Sequence, residues 1–144
     1  MVTELRIAAP HEEAWINERY AEIGFVLSDL ATHLVVIAEI DGVAAGMGRL
    51  VPAGDRAYEL GGMLVFEQFR GRGIARAIIE ELLQHAGARE IYCIPFAELE
   101  PIYASAGFVT REPHEALPEG VREKLEWCAR EIPHRPVLLM QLGR

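Results

Sequence analysis

The sequence predicts an α/β (α+β) fold, in which helices flank one mixed, mostly antiparallel sheet. Three observations predict it. Two apolar strands surround the turn pair Asp41-Gly42, a strongly periodic helix follows Gly73, and further apolar strands come after that helix. The chain has 144 residues, of which 51% are hydrophobic and 25% charged, and this composition predicts a single domain over residues 1–144.

The individual elements follow from alternation, helical periodicity and turn residues. About six to seven strands are predicted, from the segments TELRIAA, HLVVIAEI, VAAGMGRLV, AYELGGMLVF, REIYCIPF, FVT and RPVLLMQL. Helices are predicted in PHEEAWINERYAEIGF, after Gly73, in AELEPIYASAG and in PEGVREKLEWCAREI. Gly61 and Gly62 lie inside the fourth predicted strand, where glycine weakens packing, so the pair indicates a bulge or a close backbone approach.

Charge and composition narrow the function classes. Fourteen basic residues against 22 acidic ones give a net charge of −8, which argues against a nucleic-acid binder. The segment MVTELRIAAP lacks the features of a signal peptide, and no apolar run is long enough to span a membrane, so we expect a cytoplasmic protein. Cys93 and Cys128 are too few for a disulfide framework, and the five histidines are dispersed, so no metal is expected.

The start of the central helix is locally unfavourable. Arg70, Arg72 and Arg76 bring cations to the end where the helix dipole disfavours them by roughly 0.3–1 kcal/mol each. Gly71 and Gly73 add flexible residues, each costing about 1 kcal/mol within a helix. A bound polyphosphate makes these unfavourable residues favourable, because helix amides and arginines donate to it and glycines let it approach. We interpret residues 70–75 as an anion-binding turn; the alternative is a solvated turn.

Two motifs carry a resemblance to a known family. The Walker A pattern is absent, and Arg76 stands where the dinucleotide fingerprint GxGxxG requires its third glycine. The pattern Arg70-x-x-Gly73-x-Ala75 instead resembles the Q/R-x-x-G-x-G/A signature of the GNAT superfamily of N-acetyltransferases. YASAGF, from Tyr103 to Phe108, resembles the Y-x-x-x-G-F ending of many members. The resemblance covers roughly residues 3–110.

The resemblance implies acetyl-CoA as co-substrate and a sheet splayed between strands 4 and 5, with Gly61-Gly62 at the bulge. It implies that the pyrophosphate binds at the anion-binding turn, whose residues are Arg70, Gly71, Arg72, Gly73, Ile74 and Ala75. It also implies that the backbone of Met63, Leu64 and Val65 pairs with the pantetheine arm. Phe96 departs from the pattern, since many relatives have asparagine there.

Acetyl transfer needs an acid, a base and an oxyanion donor. Tyr103 is the candidate acid for the leaving thiolate, since thiols titrate near 8.5 and tyrosine near 10; alternatively its ring only packs. Glu59 is the candidate base by resemblance, and the Val65 amide the candidate oxyanion donor. Three other glutamates are substitutes for Glu59, namely Glu98, Glu100 and Glu39. A covalent route through Cys93 or Cys128, with His114 or His134 as base, is disfavoured because no spacing pairs them.

The acceptor pocket is the least defined part of the site. Phe96, Lys124 and Trp127 are its candidate lining residues; a solvated lysine beside a half-buried tryptophan is the alternative. The leading interpretation is an N-acetyltransferase that acts on a primary amine of a small molecule by direct transfer in a ternary complex. The alternatives are a protein or peptide N-acetyltransferase and a non-catalytic acyl-CoA-binding sensor module. A terminal strand such as VLLMQL at a sheet edge is expected to allow a homodimer.

Overall fold

One seven-stranded sheet runs through the protein, whose computed structural model describes residues 3–143. The strands are β1 (Thr3–Ile7), β2 (Leu34–Ile40), β3 (Val43–Gly54), β4 (Ala57–Val65), β5 (Glu90–Cys93), β6 (Phe108–Arg111) and β7 (Leu139–Leu142). Their order across the sheet is β1-β2-β3-β4-β5-β7-β6. Only the β4–β5 pair is parallel, and every other neighbouring pair is antiparallel. The predicted mixed, mostly antiparallel sheet is confirmed.

Helices cover both faces of this sheet. They are α1 (Glu13–Glu22), α2 (Ile74–His85), α3 (Glu100–Ser105) and α4 (Glu119–Glu131). One face packs on α2 through the buried side chains Ile78, Ile79 and Leu82, and α3 joins the same cluster. The other face packs on α1 through Ile16 and on α4 through Val121. This three-layer arrangement is the predicted α/β (α+β) architecture.

The hairpin between β2 and β3 turns at Asp41 and Gly42. Their φ angles are 50° and 80°, so both residues have the left-handed conformation that a two-residue type I′ turn requires. Asparagine, aspartate and glycine tolerate this conformation better than other residues. The sequence prediction for this turn is confirmed.

A bulge distorts β4 at the glycine pair. Met47 of β3 lies opposite Leu64, whereas Arg49, two residues later, lies opposite Gly61, so β4 contains one additional residue. Gly62 has φ 58°, and a Cβ there would lie 2.6 Å from the hydroxyl of Tyr20. The bulge therefore requires glycine at this position, as the sequence indicates.

The sheet opens between β4 and β5. The two strands pair only from Ala57 opposite Glu90 to Leu60 opposite Cys93. The rest of β4, residues 61–65, continues beyond this pairing, while the chain after β5 turns toward Val137, which forms a bridge with Phe96. The predicted splay between strands 4 and 5 is confirmed.

The position of the last strand corrects one prediction. Strand β7 lies between β5 and β6, so the expectation that VLLMQL forms a sheet edge is wrong. The edges of the described sheet are β1 and β6. Antiparallel pairing with both β5 and β6 occupies the hydrogen-bonding groups of β7, which leaves them unavailable for a dimer. Within residues 3–143, no helix is long and apolar enough to cross a membrane.

Candidate active site

A groove of about 910 Å³ lies at the splay, between the free part of β4, the start of α2, and α4. Most of the residues predicted from the sequence line it. They are Glu59, Met63, Leu64, Val65, Arg70, Gly71, Gly73, Ile74, Ala75, Phe96, Tyr103, Lys124 and Trp127. Arg72 is not among the lining residues; its guanidinium lies 5.6 Å from the centre of the Phe69 ring.

The anion-binding turn presents an uncapped helix N-terminus to the groove. Helix α2 begins at Ile74 after Gly73, which has φ 75°, and no side chain caps it. The first amides of an α-helix have no intrahelical acceptor, and the helix dipole favours an anion there. Gly71 also has a positive φ, 78°, and a Cβ at either glycine would meet no atom within 4 Å. Open space, free amides and positive charge fit a pyrophosphate.

The two arginines of this region that line the groove, Arg70 and Arg76, differ in their contacts. Arg70 Nε donates to the Val65 carbonyl at 3.3 Å. Arg76 forms an ion pair with Glu80, at 2.7 Å, and donates to Ser105 Oγ at 2.8 Å. The contact of Arg76 with Ser105 therefore links α2 to α3. The contact of Arg70 with Val65 instead links the turn to the end of β4.

The backbone of β4 offers donors to the open side of the sheet. The Phe66 amide donates to the Ala45 carbonyl of β3 at 2.9 Å. Because successive residues of a strand direct their amides to opposite sides, the Val65 amide faces away from β3, toward the splay. The contact of Arg70 with the Val65 carbonyl has the same direction. A ligand in the groove can therefore pair with this strand at Val65.

Glu59 has a buried carboxylate, whereas a charged side chain on a strand is ordinarily exposed to solvent. It lies on β4 opposite Tyr92 and is 8% exposed. Its carboxylate folds over Gly61, where any Cβ would collide with Oε2. Burial raises the pKa of Glu59, while the positive charges of Lys124 and Arg49 act in the opposite direction. A carboxyl group with a raised pKa is a stronger base than an ordinary one when it is deprotonated.

The other carboxylates considered as bases lie elsewhere or are paired. Glu39 contacts Arg6, with Oε1 3.3 Å from Nε, and does not line the groove. Glu100 accepts a hydrogen bond from Thr110 at 3.0 Å and is also outside the groove. Glu98 lines the groove but is exposed and bound by the Arg135 guanidinium.

Tyr103 is buried at the inner wall of the groove, only 4% exposed. Its ring packs edge-on against Phe108, with the ring centres 6.0 Å apart, so the first and last residues of YASAGF contact each other. Burial is the main cause that raises the pKa of Tyr103, and the neighbouring ionisable groups Cys93, Glu59 and Tyr20 add to it. The raised pKa keeps the phenol protonated, so it can donate a hydrogen bond or a proton into the groove.

The predicted acceptor residues lie around the outer part of the groove. Lys124 and Trp127 are half-buried on α4, with Nζ 4.7 Å from the centre of the indole ring. Phe96 follows β5, and the Arg135 guanidinium stacks over its ring at 3.4 Å. The structure thus brings the three residues to one groove with Glu59 and Tyr103.

A buried polar cluster behind the bulge was missed from the sequence. Arg49 is 3% exposed, its guanidinium lies 4.5 Å from the centre of the Tyr20 ring, and its Nη1 donates to Ser28 Oγ at 2.6 Å. Within residues 3–143 its Nε has no hydrogen-bond partner, and it lies close to Gly62, where a Cβ would be 2.7 Å away. An arginine inside the apolar run VAAGMGRLV was the signal that could have revealed it.

The thiols have environments unsuited to a nucleophile. Cys128 lines the groove and Cys93 lies in the core, and burial raises the pKa of both thiols. His134 lines the groove, whereas His114 does not. Among the described residues, no group of three or more histidine, cysteine, aspartate or glutamate side chains is placed to hold a metal ion.

An uncapped helix N-terminus, an unpaired strand edge and the buried side chains of Glu59 and Tyr103 line one groove, an arrangement suited to a ligand with a diphosphate and an extended arm. Residues 2–108, more than half of the chain, match the model of the Acetyltransferase (GNAT) family. The chain therefore belongs to the GNAT family of acetyl-CoA-dependent acetyltransferases.

Individual relatives agree with this assignment. Glucosamine 6-phosphate N-acetyltransferase 1 of Oryza sativa subsp. japonica is 29% identical over 128 residues, which cover 77% of this chain and 72% of that protein. The structure resembles N-acetylglutamate synthase from Neisseria gonorrhoeae, complexed with coenzyme A and N-acetyl-glutamate, with TM-score 0.72 and 19% identity. That alignment covers 100% of this chain and 36% of the synthase chain, so this chain spans about a third of the synthase's length.

A shorter protein gives a similar match over its whole length. Rv2747 from Mycobacterium tuberculosis, in a complex with CoA, superposes with TM-score 0.73 at 19% identity, covering 98% of this chain and 99% of that one. At these identities the structural similarity establishes the fold.

Proposed function

We propose that the protein transfers an acetyl group from acetyl-CoA to a primary amine of a small molecule, directly and within a ternary complex. The observation that carries the proposal is the groove at the splay, which one end of α2, the free edge of β4, Glu59 and Tyr103 all line. Acetyl-CoA supplies the acetyl group: an N–C bond forms as the thioester C–S bond breaks, and CoA leaves as a thiol.

The anion-binding turn and β4 position the co-substrate. The first amides of α2 and the Arg70 side chain donate to the diphosphate. The backbone groups that the segment Met63, Leu64 and Val65 directs toward the splay pair with the pantetheine arm, as a strand does with a peptide. The Val65 amide, which faces the splay, donates to the thioester carbonyl oxygen, where negative charge develops during transfer.

Glu59 and Tyr103 move the two protons. Glu59 accepts a proton from the amine, directly or through a water molecule, so that the nitrogen lone pair is free to attack. Tyr103 donates its proton to the departing sulfur. Both side chains are buried, which strengthens each electrostatic interaction and excludes bulk water from the reacting atoms.

A small acceptor is favoured over a protein for two reasons. Aromatic and apolar side chains, among them Phe25, Phe96 and Trp127, enclose the acceptor part of the groove, as is usual in small-molecule sites. In addition, the named relatives are a glucosamine 6-phosphate N-acetyltransferase and an N-acetylglutamate synthase, whose names specify small acceptors.

The two free thiols fit a reducing compartment, and we propose the cytoplasm.

Release of CoA thiol, measured over a panel of amines, tests the proposal. The wild-type protein is expected to release thiol with at least one small amine, and each of Tyr103→Phe and Glu59→Gln to lower kcat by about 10²- to 10⁴-fold, the usual contribution of a general acid or base. Calorimetry with acetyl-CoA controls for binding, which both variants should retain. Binding without thiol release from any amine would instead indicate a sensor module, and transfer only to peptide amines a protein acetyltransferase.

A further inference from the structure

We propose that the acceptor is an amine that also carries an anionic group, a carboxylate or a phosphate, and that Lys124 binds this group while the amine faces Glu59. The proposal rests on the proposed function, because it assigns the acceptor class of the same groove. It depends on the charges in the outer part of the groove and on which of them are already paired.

Lys124 is the cation available in the outer part of the groove among the described residues. Three arginines also line the groove: Arg76 and Arg135 are paired with the carboxylates of Glu80 and Glu98, and Arg70 belongs to the anion-binding turn, where its Nε donates to the Val65 carbonyl. No ion pair among residues 3–143 includes Lys124, which instead lies beside Trp127, with Nζ 4.7 Å from the ring centre. Lys124 is a half-buried residue, and its ammonium, without a carboxylate partner among residues 3–143, can form a charge-assisted hydrogen bond with an anionic ligand.

Glu59 provides the opposite charge across the groove. Lys124 and Glu59 both line it and are close enough to interact electrostatically, yet they do not form an ion pair. The carboxylate is held over Gly61 on β4, whereas the lysine extends from α4, so the two charges are presented from two different elements. A molecule with an amine at one end and an anion at the other is complementary to this pair.

Lys124 also has an electrostatic effect on Glu59, which is distinct from binding an anionic group of the acceptor. Its charge also acts on the protonation of Glu59, so loss of that charge would affect every acceptor through the base. Binding of an anion, in contrast, affects only those acceptors that carry one. The two roles therefore predict different results for acceptors that differ only in the anionic group.

Matched acceptor pairs make this comparison. We would measure kcat/KM for glucosamine 6-phosphate against glucosamine, and for a panel of amino acids each against its carboxamide; the two sets distinguish phosphate from carboxylate. Calorimetry of the CoA-bound protein with the same compounds reports binding without turnover. The variants are Lys124→Met, which keeps the apolar stem over Trp127, and Lys124→Arg, which keeps the charge. Arg130→Met, an exposed position on α4 outside the groove, is the control.

The wild-type protein is expected to prefer the anionic member of at least one pair. At a pH above the acidic limb of both proteins, Lys124→Met should lower kcat/KM and affinity for that member by about ten- to a hundredfold, the range of one charge-assisted hydrogen bond, and those for its neutral partner by about twofold or less. Lys124→Arg should recover most of the loss, and Arg130→Met should change neither.

Two results would overturn the inference: no preference of the wild type for any anionic member, or an equal loss for both members of the preferred pair in Lys124→Met. If an anionic amine binds in a Lys124-dependent manner but no thiol is released, the inference stands and the proposed acetyl transfer is wrong. If neutral amines are acetylated as well as anionic ones, the transfer stands and the inference is wrong.

Discussion

The Tyr20 hydroxyl donates a 2.7 Å hydrogen bond to the Gly62 carbonyl, which joins α1 to the bulge in β4. Tyr20 is fully buried, and burial raises its pKa to about 12, so the phenol remains a donor throughout the physiological range. The carbonyl it binds lies where β4 diverges from β5. The contact therefore supports the strand segment that forms one wall of the groove.

Removing this hydroxyl should destabilise the protein. Tyr20→Phe leaves the Gly62 carbonyl without its side-chain donor, which costs about 1–3 kcal/mol for a buried polar group. Urea denaturation followed by circular dichroism measures the change in the free energy of unfolding. Tyr58→Phe is the matched control, since Tyr58 packs under Arg89, 4.6 Å away, and does not line the groove. Equal effects of both substitutions would show that the Tyr20–Gly62 contact contributes nothing specific.

Two glycines with positive φ should respond differently to alanine. Gly62→Ala places a Cβ 2.6 Å from Tyr20 Oη and 2.7 Å from Arg49 Nε, so collision adds to backbone strain. Gly71→Ala meets open space and has only the strain, about 1–2 kcal/mol. We expect Gly62→Ala to lower the melting temperature much further, and Gly71→Ala to lower CoA affinity in calorimetry with a small effect on melting. The reverse order of melting temperatures would contradict the described bulge.

The pH profile should report the burial of Glu59. A base acts only when deprotonated, and burial raises the pKa of Glu59 above its ordinary 4.5, so kcat/KM should fall as the pH drops through that raised value. Lys124 and Arg49 are the charged groups that oppose the rise. Removing the Lys124 charge in Lys124→Met should therefore move the acidic limb to higher pH. The profile is measured with a neutral amine, and an unmoved limb would show that another group is the base.

The stability of the N-terminal region should depend on pH through Glu12. The Arg6 guanidinium, which donates to Glu12 at 2.7 and 2.8 Å, lowers the pKa of this carboxyl to about 2. A group whose pKa is lower when folded contributes stability above the unfolded value, near 4.5, and loses it as the pH falls toward 2. Denaturation between pH 6 and about 3 should thus show a smaller decline for Glu12→Gln than for the wild type. Parallel declines would exclude this contribution, which is modest because Arg6 is 40% exposed.

Local signals in the sequence were sufficient for much of the fold. Asp41-Gly42 predicts its hairpin because two left-handed residues are a local requirement, and Gly61-Gly62 indicates the bulge because glycine is unusual inside a strand. The periodicity after Gly73 predicts α2, which runs from Ile74 to His85. These features depend on residues that are neighbours along the chain.

Features that depend on distant segments were not predictable in this way. The insertion of β7 between β5 and β6 is a choice among pairings of distant strands, which no local pattern encodes. The burial of Arg49 comes from its packing against Tyr20 and Ser28, more than twenty residues earlier in the sequence. Arg72 does not line the groove, and its guanidinium lies 5.6 Å from the centre of the Phe69 ring, a side-chain conformation that the motif alone does not specify.

Calorimetry with CoA and with pantetheine, which lacks the diphosphate together with the adenosine 3′-phosphate, tests the central claim most directly. If the amides of residues 70–75 bind the diphosphate, the wild-type protein should bind CoA at least about a hundredfold more tightly than pantetheine, as expected for several charge-assisted hydrogen bonds at a helix N-terminus. Equal affinities for the two ligands, or no heat with CoA, would contradict the account.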